Sequence, residues 1–262
     1  MATTKPRAVI AVTYESWAQE YLRSLPPEHF MEAKGQATQR KITMESLDLV
    51  SARRPDVHVF NEMLVQYPLP GQKRPGQVVP DNMVVLSREP LEADSSYNLP
   101  LEPARPFWVL EYVSKNNKRK DYDDNFDKYE KELKVPYYLT FFPDNQELTL
   151  YRLQGKKYVT VKPNRHGRYA IPDLEIEVAL LGGWVRFWHK GDLLPLPADL
   201  QRELDRANER ANQERERANQ ERDRADELQR RLEEAQRELA RLRGPSPPCP
   251  TRRSNGSKPG KD

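Results

Sequence analysis

Two carboxylates in apolar surroundings are the residues of this chain whose setting calls for chemistry. Asp81 stands behind Pro80 in VVPDNMVVL, and Glu111 sits in the middle of FWVLEYV. A run of Phe, Trp, Val, Leu, Tyr and Val reads as a strand buried on both faces, where an isolated charge is costly. Alternation sends Phe107, Val109, Glu111 and Val113 to one face of that strand, and Trp108, Leu110 and Tyr112 to the other. If the two strands pair, both carboxylates converge at one end of a sheet. A hard divalent cation such as Mg²⁺ suits that arrangement, because it binds one or two carboxylates, keeps waters and accepts phosphate oxygens at its remaining positions. Such an ion neutralises both acids and acidifies a bound water so that hydroxide can attack phosphorus. Each acid also has a plain reading. Pro-Asp is a common turn or strand-entry pair, and Glu111 could pair with a nearby Lys or Arg.

The surrounding elements must bring the acids together. Thr13 is read as the cap of a first helix carrying Trp17, Tyr21 and Leu22, and Thr38 to Ala52 as a second helix that Pro55 ends. VHVFNEMLVQ from Val57 and VVPDNMVVL from Val78 are β-like runs separated by the turn-forming PLPGQKRPG. After FWVLEYV, the stretch DYDDNFDKYEKEL places Tyr122, Phe126, Tyr129 and Leu133 at helical spacing, one aromatic stripe for packing on a sheet. VPYYLTFF is another apolar strand, and ELTLYRLQGKKYVTVKP reads as a hairpin turning near Gly155. A helix linking two strands implies a crossover, hence a mixed α/β sheet and not a sandwich.

Composition divides the chain. Up to about Pro197 it mixes apolar, aromatic and charged residues, enough for one core, whereas Ala198 to Arg243 has no aromatic, Gly or Pro. Three parts are expected: residues 1–197 as the folded domain, 198–243 as a heptad-repeat helix, and 244–262 as a disordered basic tail rich in Pro and Ser. In the helix, Leu204, Ala211, Ala218, Ala225, Leu232 and Leu239 form one register, and Ala207, Leu228, Ala235 and Leu242 a second, interrupted by Glu214 and Glu221. Either a coiled coil or a solvated helix held by pairs such as Glu227 with Arg231 answers to this pattern. The formal charge of +3 from 43 basic and 40 acidic residues leaves nucleic-acid binding open, since a local patch matters more than the sum. One such patch, Lys115, Lys118, Arg119 and Lys120, directly follows the strand of Glu111. The single cysteine, Cys249, excludes an intramolecular disulfide and any multi-cysteine metal site. The four histidines show no ligand spacing, and no run of about 20 apolar residues suits a membrane span.

Asp81 behind a proline, the Glu111 strand ending in Ser114, the basic run, Asp121 and an aromatic helix leading to VPYYL resemble the PD-(D/E)xK nuclease superfamily. More specifically they are similar to the Uma-type restriction endonucleases. The resemblance runs from about Val57 to Leu196 and includes WVRFWHKGDLLPLP. It implies a restriction-endonuclease-like α/β core, a mixed sheet flanked by helices, followed here by the long C-terminal helix. It also implies cleavage of DNA phosphodiesters with Mg²⁺ or Mn²⁺. Carried over residue by residue, Asp81 and Glu111 become metal ligands, with the Tyr112 carbonyl a third. The superfamily's lysine would fall at Val113, and the family's helical lysine at Asn125. Lys128, one turn further along, is the substitute expected to orient the attacking water or offset phosphate charge, with Lys115 a weaker one. Glu32 matches an accessory N-terminal carboxylate of parts of the superfamily, although HFMEAKG reads more easily as a loop. The expectation is therefore a cytoplasmic, metal-dependent DNA endonuclease, dimeric through residues 204–242. Its Lys115, Lys118, Arg119 and Lys120 would contact phosphate. The alternative is a nuclease-like fold without turnover that binds DNA or serves assembly, which Asn125 favours.

Overall fold

Apolar β-formers between turn residues assemble a central sheet of six strands in the order β1-β4-β6-β7-β8-β9, where β1 is Val57–Asn61, β4 Asn82–Leu86, β6 Pro106–Tyr112, β7 Tyr137–Phe142, β8 Glu147–Gln154 and β9 Lys157–Thr160. The computed structural model describes residues 6–25, 33–113, 119–242 and 244, and the main chain alone for 119–122. It divides into two units, Met1–Leu200 and Gln201–Asp262. Within the first unit, β6 and β7 are parallel and every other neighbouring pair in the sheet is antiparallel. The crossover between them is α3 (Arg119–Asp127), which runs on as a π-helical turn over Lys128–Leu133. The mixed sheet expected from sequence is the observed one.

Both faces of this sheet are covered. On one face, Trp108, Leu110 and Tyr112 pack with Leu47 and Val50 of α2 (Lys34–Ser51) and with Ile176, Val178, Val185 and Phe187 of a second sheet, β10-β11-β12-β13. That sheet is a meander of β10 (Tyr169–Ile171), β11 (Ile176–Leu181), β12 (Trp184–His189) and β13 (Asp192–Leu193). On the other face, Met83, Val85 and Val109 meet Tyr129 and Leu133 of the π turn. Tyr67, Val78 and Tyr97 of a three-stranded sheet join them there, in the order β3-β2-β5 (β2 Leu64–Tyr67, β3 Gly76–Val78, β5 Ser96–Asn98). The aromatic stripe packs as its spacing predicts: Phe126 lies edge-on to Tyr138, Tyr151 and Tyr158, with ring centroids 5.3–5.8 Å apart.

Local readings needed four corrections. Thr13 is no cap: α1 spans Arg7–Ser24, and the Thr13 hydroxyl donates back to the Val9 carbonyl at 2.6 Å inside it. α2 begins at Lys34, one turn before Thr38. VHVFNEMLVQ is two strands, because Glu62 takes the left-handed region at φ 48° and turns the chain between β1 and β2. VVPDNMVVL is likewise broken, with Pro80 and Asp81 lying between β3 and β4. The hairpin turning at Gly155 (φ 64°) forms as read.

The second unit is helical from Gln201 to Leu242, the greater part of α4 (Pro197–Leu242). The 46-residue α4 is about 69 Å long at 1.5 Å per residue. None of its residues is buried, and Leu228, Leu232, Leu239 and Leu242 are each more than half exposed. Arg231 and Glu227 close the expected i,i+4 ion pair at 2.6 Å. Among the described residues, no helix is long and apolar enough to cross a membrane. The tail from residue 245 onward, with Cys249, lies outside the described residues.

One buried amide ties α2 to the second sheet. Gln39, 1% exposed, accepts the Val185 N–H at 2.9 Å and donates to the Val185 carbonyl at 3.2 Å, as a neighbouring strand would. It has this place because β13 pairs only with Trp188 and His189 and leaves Val185 uncovered. Gln39→Leu keeps the volume but orphans both main-chain groups. It is expected to cost roughly 1–3 kcal/mol for each, read as a lower urea midpoint; an unchanged midpoint would mean that water takes over the amide's role.

Candidate active site

The site grows from the end of the β4–β6 ladder. Antiparallel pairing sets Asn82 opposite Leu110 and Met83 opposite Val109, so the next pair outward is Asp81 opposite Glu111, on the face that carries Met83 and Val109. Proline lacks an N–H and cannot extend the ladder through Pro80. In its place the Asp81 side chain continues the pairing: Oδ2 accepts the Tyr112 N–H at 2.6 Å. Oδ1 accepts from the Gln36 side-chain amide at 3.0 Å, which reaches around the sheet end from the first turn of α2. The Asp81 carbonyl accepts the Glu62 N–H at 3.2 Å, so the left-handed turn at Glu62 also fixes the start of β4.

Glu111 is buried and its carboxyl faces that of Asp81. Its Oε1 accepts the Tyr129 hydroxyl at 2.6 Å. Burial pushes both carboxyls up from the ordinary carboxylate range, and for Glu111 the neighbouring Asp81 charge adds to it. Two acids in contact cannot both ionise cheaply, which favours a proton shared between them when no cation is bound. Burial, with the charge of Glu111 beside it, pushes the Tyr129 hydroxyl well above its ordinary value and keeps it a donor.

Asp81 and Tyr112 also line a polar cavity of about 10 Å³, together with Gln36, Gln39, Arg40, Glu62, Asn82 and Leu110. Arg40 and Glu62 form an ion pair at 2.8 Å on its rim, and the buried Asn82 side-chain nitrogen has no partner among the described residues. A space of that size holds one water molecule.

The donor set suits a hard cation. Two convergent carboxylates are what Mg²⁺ or Mn²⁺ takes, with water filling its other positions, whereas groups of three or more His, Cys, Asp or Glu able to hold a metal are absent among the described residues. A dication in place of the shared proton would remove the like-charge conflict. Tyr112 meets Asp81 through its N–H.

Of the residues singled out from sequence, the structure brings together Asp81, Glu111 and the Tyr112 main chain. Lys128 opens the π turn half-buried and makes no ion pair with either acid; its neighbour Tyr129 is the residue that touches Glu111. Lys115 and Lys118 lie outside the described residues, as do the side chains of Arg119 and Lys120, whose main chain opens α3. Glu32 also lies outside them. Sequence reading missed Tyr129 and Gln36. Tyr129 was hidden in the aromatic stripe, although a tyrosine facing a buried carboxyl is the aromatic residue able to donate to it. Gln36 lay ahead of the helix start read at Thr38.

The raised carboxyls carry a pH signature. The folded protein binds more protons here than the unfolded chain, so the contribution of the pair to stability is fully present below about pH 4 and is lost as pH rises through the folded-state values. With chelator present, wild-type stability should fall between about pH 4 and neutrality relative to an Asp81→Asn/Glu111→Gln double variant, measured by urea unfolding across pH. Parallel profiles for the two proteins would show that the acids do not share a proton.

No curated protein matches the chain. Among solved structures it is similar to one from Anabaena variabilis ATCC 29413, described as "a putative nuclease belonging to DUF820", at 17% identity and a TM-score of 0.40, covering 54% of this chain and 75% of that one. A family model described as "Uma2: Putative restriction endonuclease" matches residues 14–181, a segment that contains the whole carboxyl site. With well over half of its length matched, the chain belongs to the Uma2 family.

Proposed function

We propose that the chain is a divalent-metal-dependent DNA endonuclease that hydrolyses phosphodiester bonds. The observation carrying this reading is the buried contact between Asp81 and Glu111 at the sheet end. Asp81 and Glu111 would hold Mg²⁺ or Mn²⁺, and the ion when bound would polarise the phosphate and acidify a water. The protein's own part is to hold the acids. Tyr112 N–H and Gln36 fix Asp81, Tyr129 fixes Glu111, and the apolar faces around Met83 and Val109 exclude bulk water from beneath them. Lys128 is the proposed cation beside the phosphate, and Lys115, Lys118, Arg119 and Lys120 the proposed contacts to the DNA backbone, an attraction that weakens with salt. The α4 seam from Leu204 to Leu242 would join two copies, so that two sites address two strands.

A second reading has its own support. The side-chain donors that touch the acid pair, Gln36 and Tyr129, are both neutral, and Asn125 stands where the family's helical lysine is expected. A fold that retains the acids but lacks a cation would bind DNA or serve assembly without turnover. Calorimetric titration with Mn²⁺ in the absence of DNA separates a metal site from an inert scaffold.

Plasmid DNA with Mg²⁺ or Mn²⁺ tests the main reading. Wild-type protein should cut, and Asp81→Asn or Glu111→Gln should lose on the order of 10³-fold in rate, the value of several kcal/mol of transition-state stabilisation. Undiminished cutting by both variants would place the chemistry elsewhere. For assembly, a Leu232→Glu/Leu239→Glu variant should sediment as a monomer where the wild type sediments as a dimer. A dimer that survives both changes would rule out the seam.

A further inference from the structure

The π turn after α3 places a particular hydroxyl on a particular carboxylate oxygen. Three side chains of this turn are tied to three different strands: Tyr129 to Glu111 of β6 at 2.6 Å, Glu130 to the Tyr158 N–H of β9 at 2.7 Å, and Glu132 to the Tyr67 hydroxyl of β2 at 2.5 Å. Its far end is closed by Lys134 in the left-handed region (φ 53°), and the Val135 N–H returns to the Tyr129 carbonyl at 3.0 Å. Turns of this wider kind are rare and collect at functional sites. Here three tethers hold the turn, and Tyr129 is fixed at both its main chain and its hydroxyl.

The consequence falls on Glu111. One carboxylate oxygen, Oε1, is occupied by the Tyr129 hydroxyl, and the Tyr129 ring lies fully buried against Tyr138 with centroids 5.1 Å apart, so the donor has no room to swing away. Across the ladder Asp81 is held in the same manner, by the Tyr112 N–H and by Gln36. We propose that Tyr129 is a positioning residue that fixes Glu111 through Oε1 and so orients the carboxyl that, together with Asp81, would hold a divalent cation. This rests on the metal-site reading given above. Donors of this kind, hydrogen-bonded to a ligating carboxylate, orient it, and their loss typically costs 10–100-fold in metal affinity.

Tyr129→Phe removes the hydroxyl and keeps the ring, while the Glu130 and Glu132 tethers continue to hold the turn. The probe is Mn²⁺ alone, titrated calorimetrically into metal-free full-length protein. Wild type should bind Mn²⁺, and Tyr129→Phe should bind about 10–100-fold more weakly. In cleavage assays the Mn²⁺ concentration for half-maximal rate should rise by a similar factor while the rate at saturating Mn²⁺ changes little. A merely structural role would lower the saturating rate or the stability without moving the Mn²⁺ midpoint. A cycle gives the second arm: added to Glu111→Gln, Tyr129→Phe should cause no further loss of Mn²⁺ affinity, because its effect passes through Glu111. Equal affinities of wild type and Tyr129→Phe would overturn the positioning role and leave the metal site standing. A wild type that binds no Mn²⁺ would overturn the metal site, and the positioning role with it.

Discussion

The end of the β4–β6 ladder is governed by one conflict: two carboxyls stand opposite each other, Glu111 buried and Asp81 half-buried. Their closeness penalises ionisation of both at once, and a proton or, on the reading proposed above, a dication would relieve it. The neighbouring architecture supports that pair. Pro80 stops the ladder so that the Asp81 carboxylate can take the Tyr112 N–H. The parallel crossover delivers the π turn beneath Glu111, and the start of α2 brings Gln36 across the sheet end.

The contacts are divided between the two covered faces. From the side of the three-stranded sheet come Tyr129 and the apolar floor of Met83 and Val109; from the α2 side come Gln36 and the small polar cavity with Arg40, Glu62 and Asn82. Asp81 is the residue that both sides share. This explains why a short strand-entry residue occupies such a fixed geometry. Its two oxygens and its carbonyl are all committed, so a shift of either covering layer is felt at the acid pair. Gln39 adds to that coupling, since it locks α2 to β12 just one turn beyond Gln36.

The π turn shows how a local irregularity serves a remote need. A regular α-helix through residues 128–133 would satisfy its own main chain equally well, so its widening must be sustained by tertiary bonds. Glu130 and Glu132 supply these at β9 and β2, and the outcome is a hydroxyl set against Glu111. The long α4 stands apart in its physics, with its side chains in solvent and its leucines unburied. Within a single copy it buries no core, and i,i+4 charge pairs such as Arg231 with Glu227 line it.

Sequence alone determined the crossover between FWVLEYV and VPYYLTFF, the aromatic stripe, the hairpin at Gly155, the long C-terminal helix, and the meeting of Asp81 with Glu111 at one sheet end. Each of these rests on periodicity or on a polar residue in an apolar run, and such signals are local. What only the tertiary structure decided is who touches the acids. Tyr129 and Lys128 are adjacent in sequence and differ in outcome because the register of a helix on a sheet is set by packing across the whole layer. Gln36 depends on where α2 begins, and Glu62 on a left-handed turn that no glycine announces. Contacts between residues dozens of positions apart follow from how layers stack, and one-dimensional spacing carries no record of that distance.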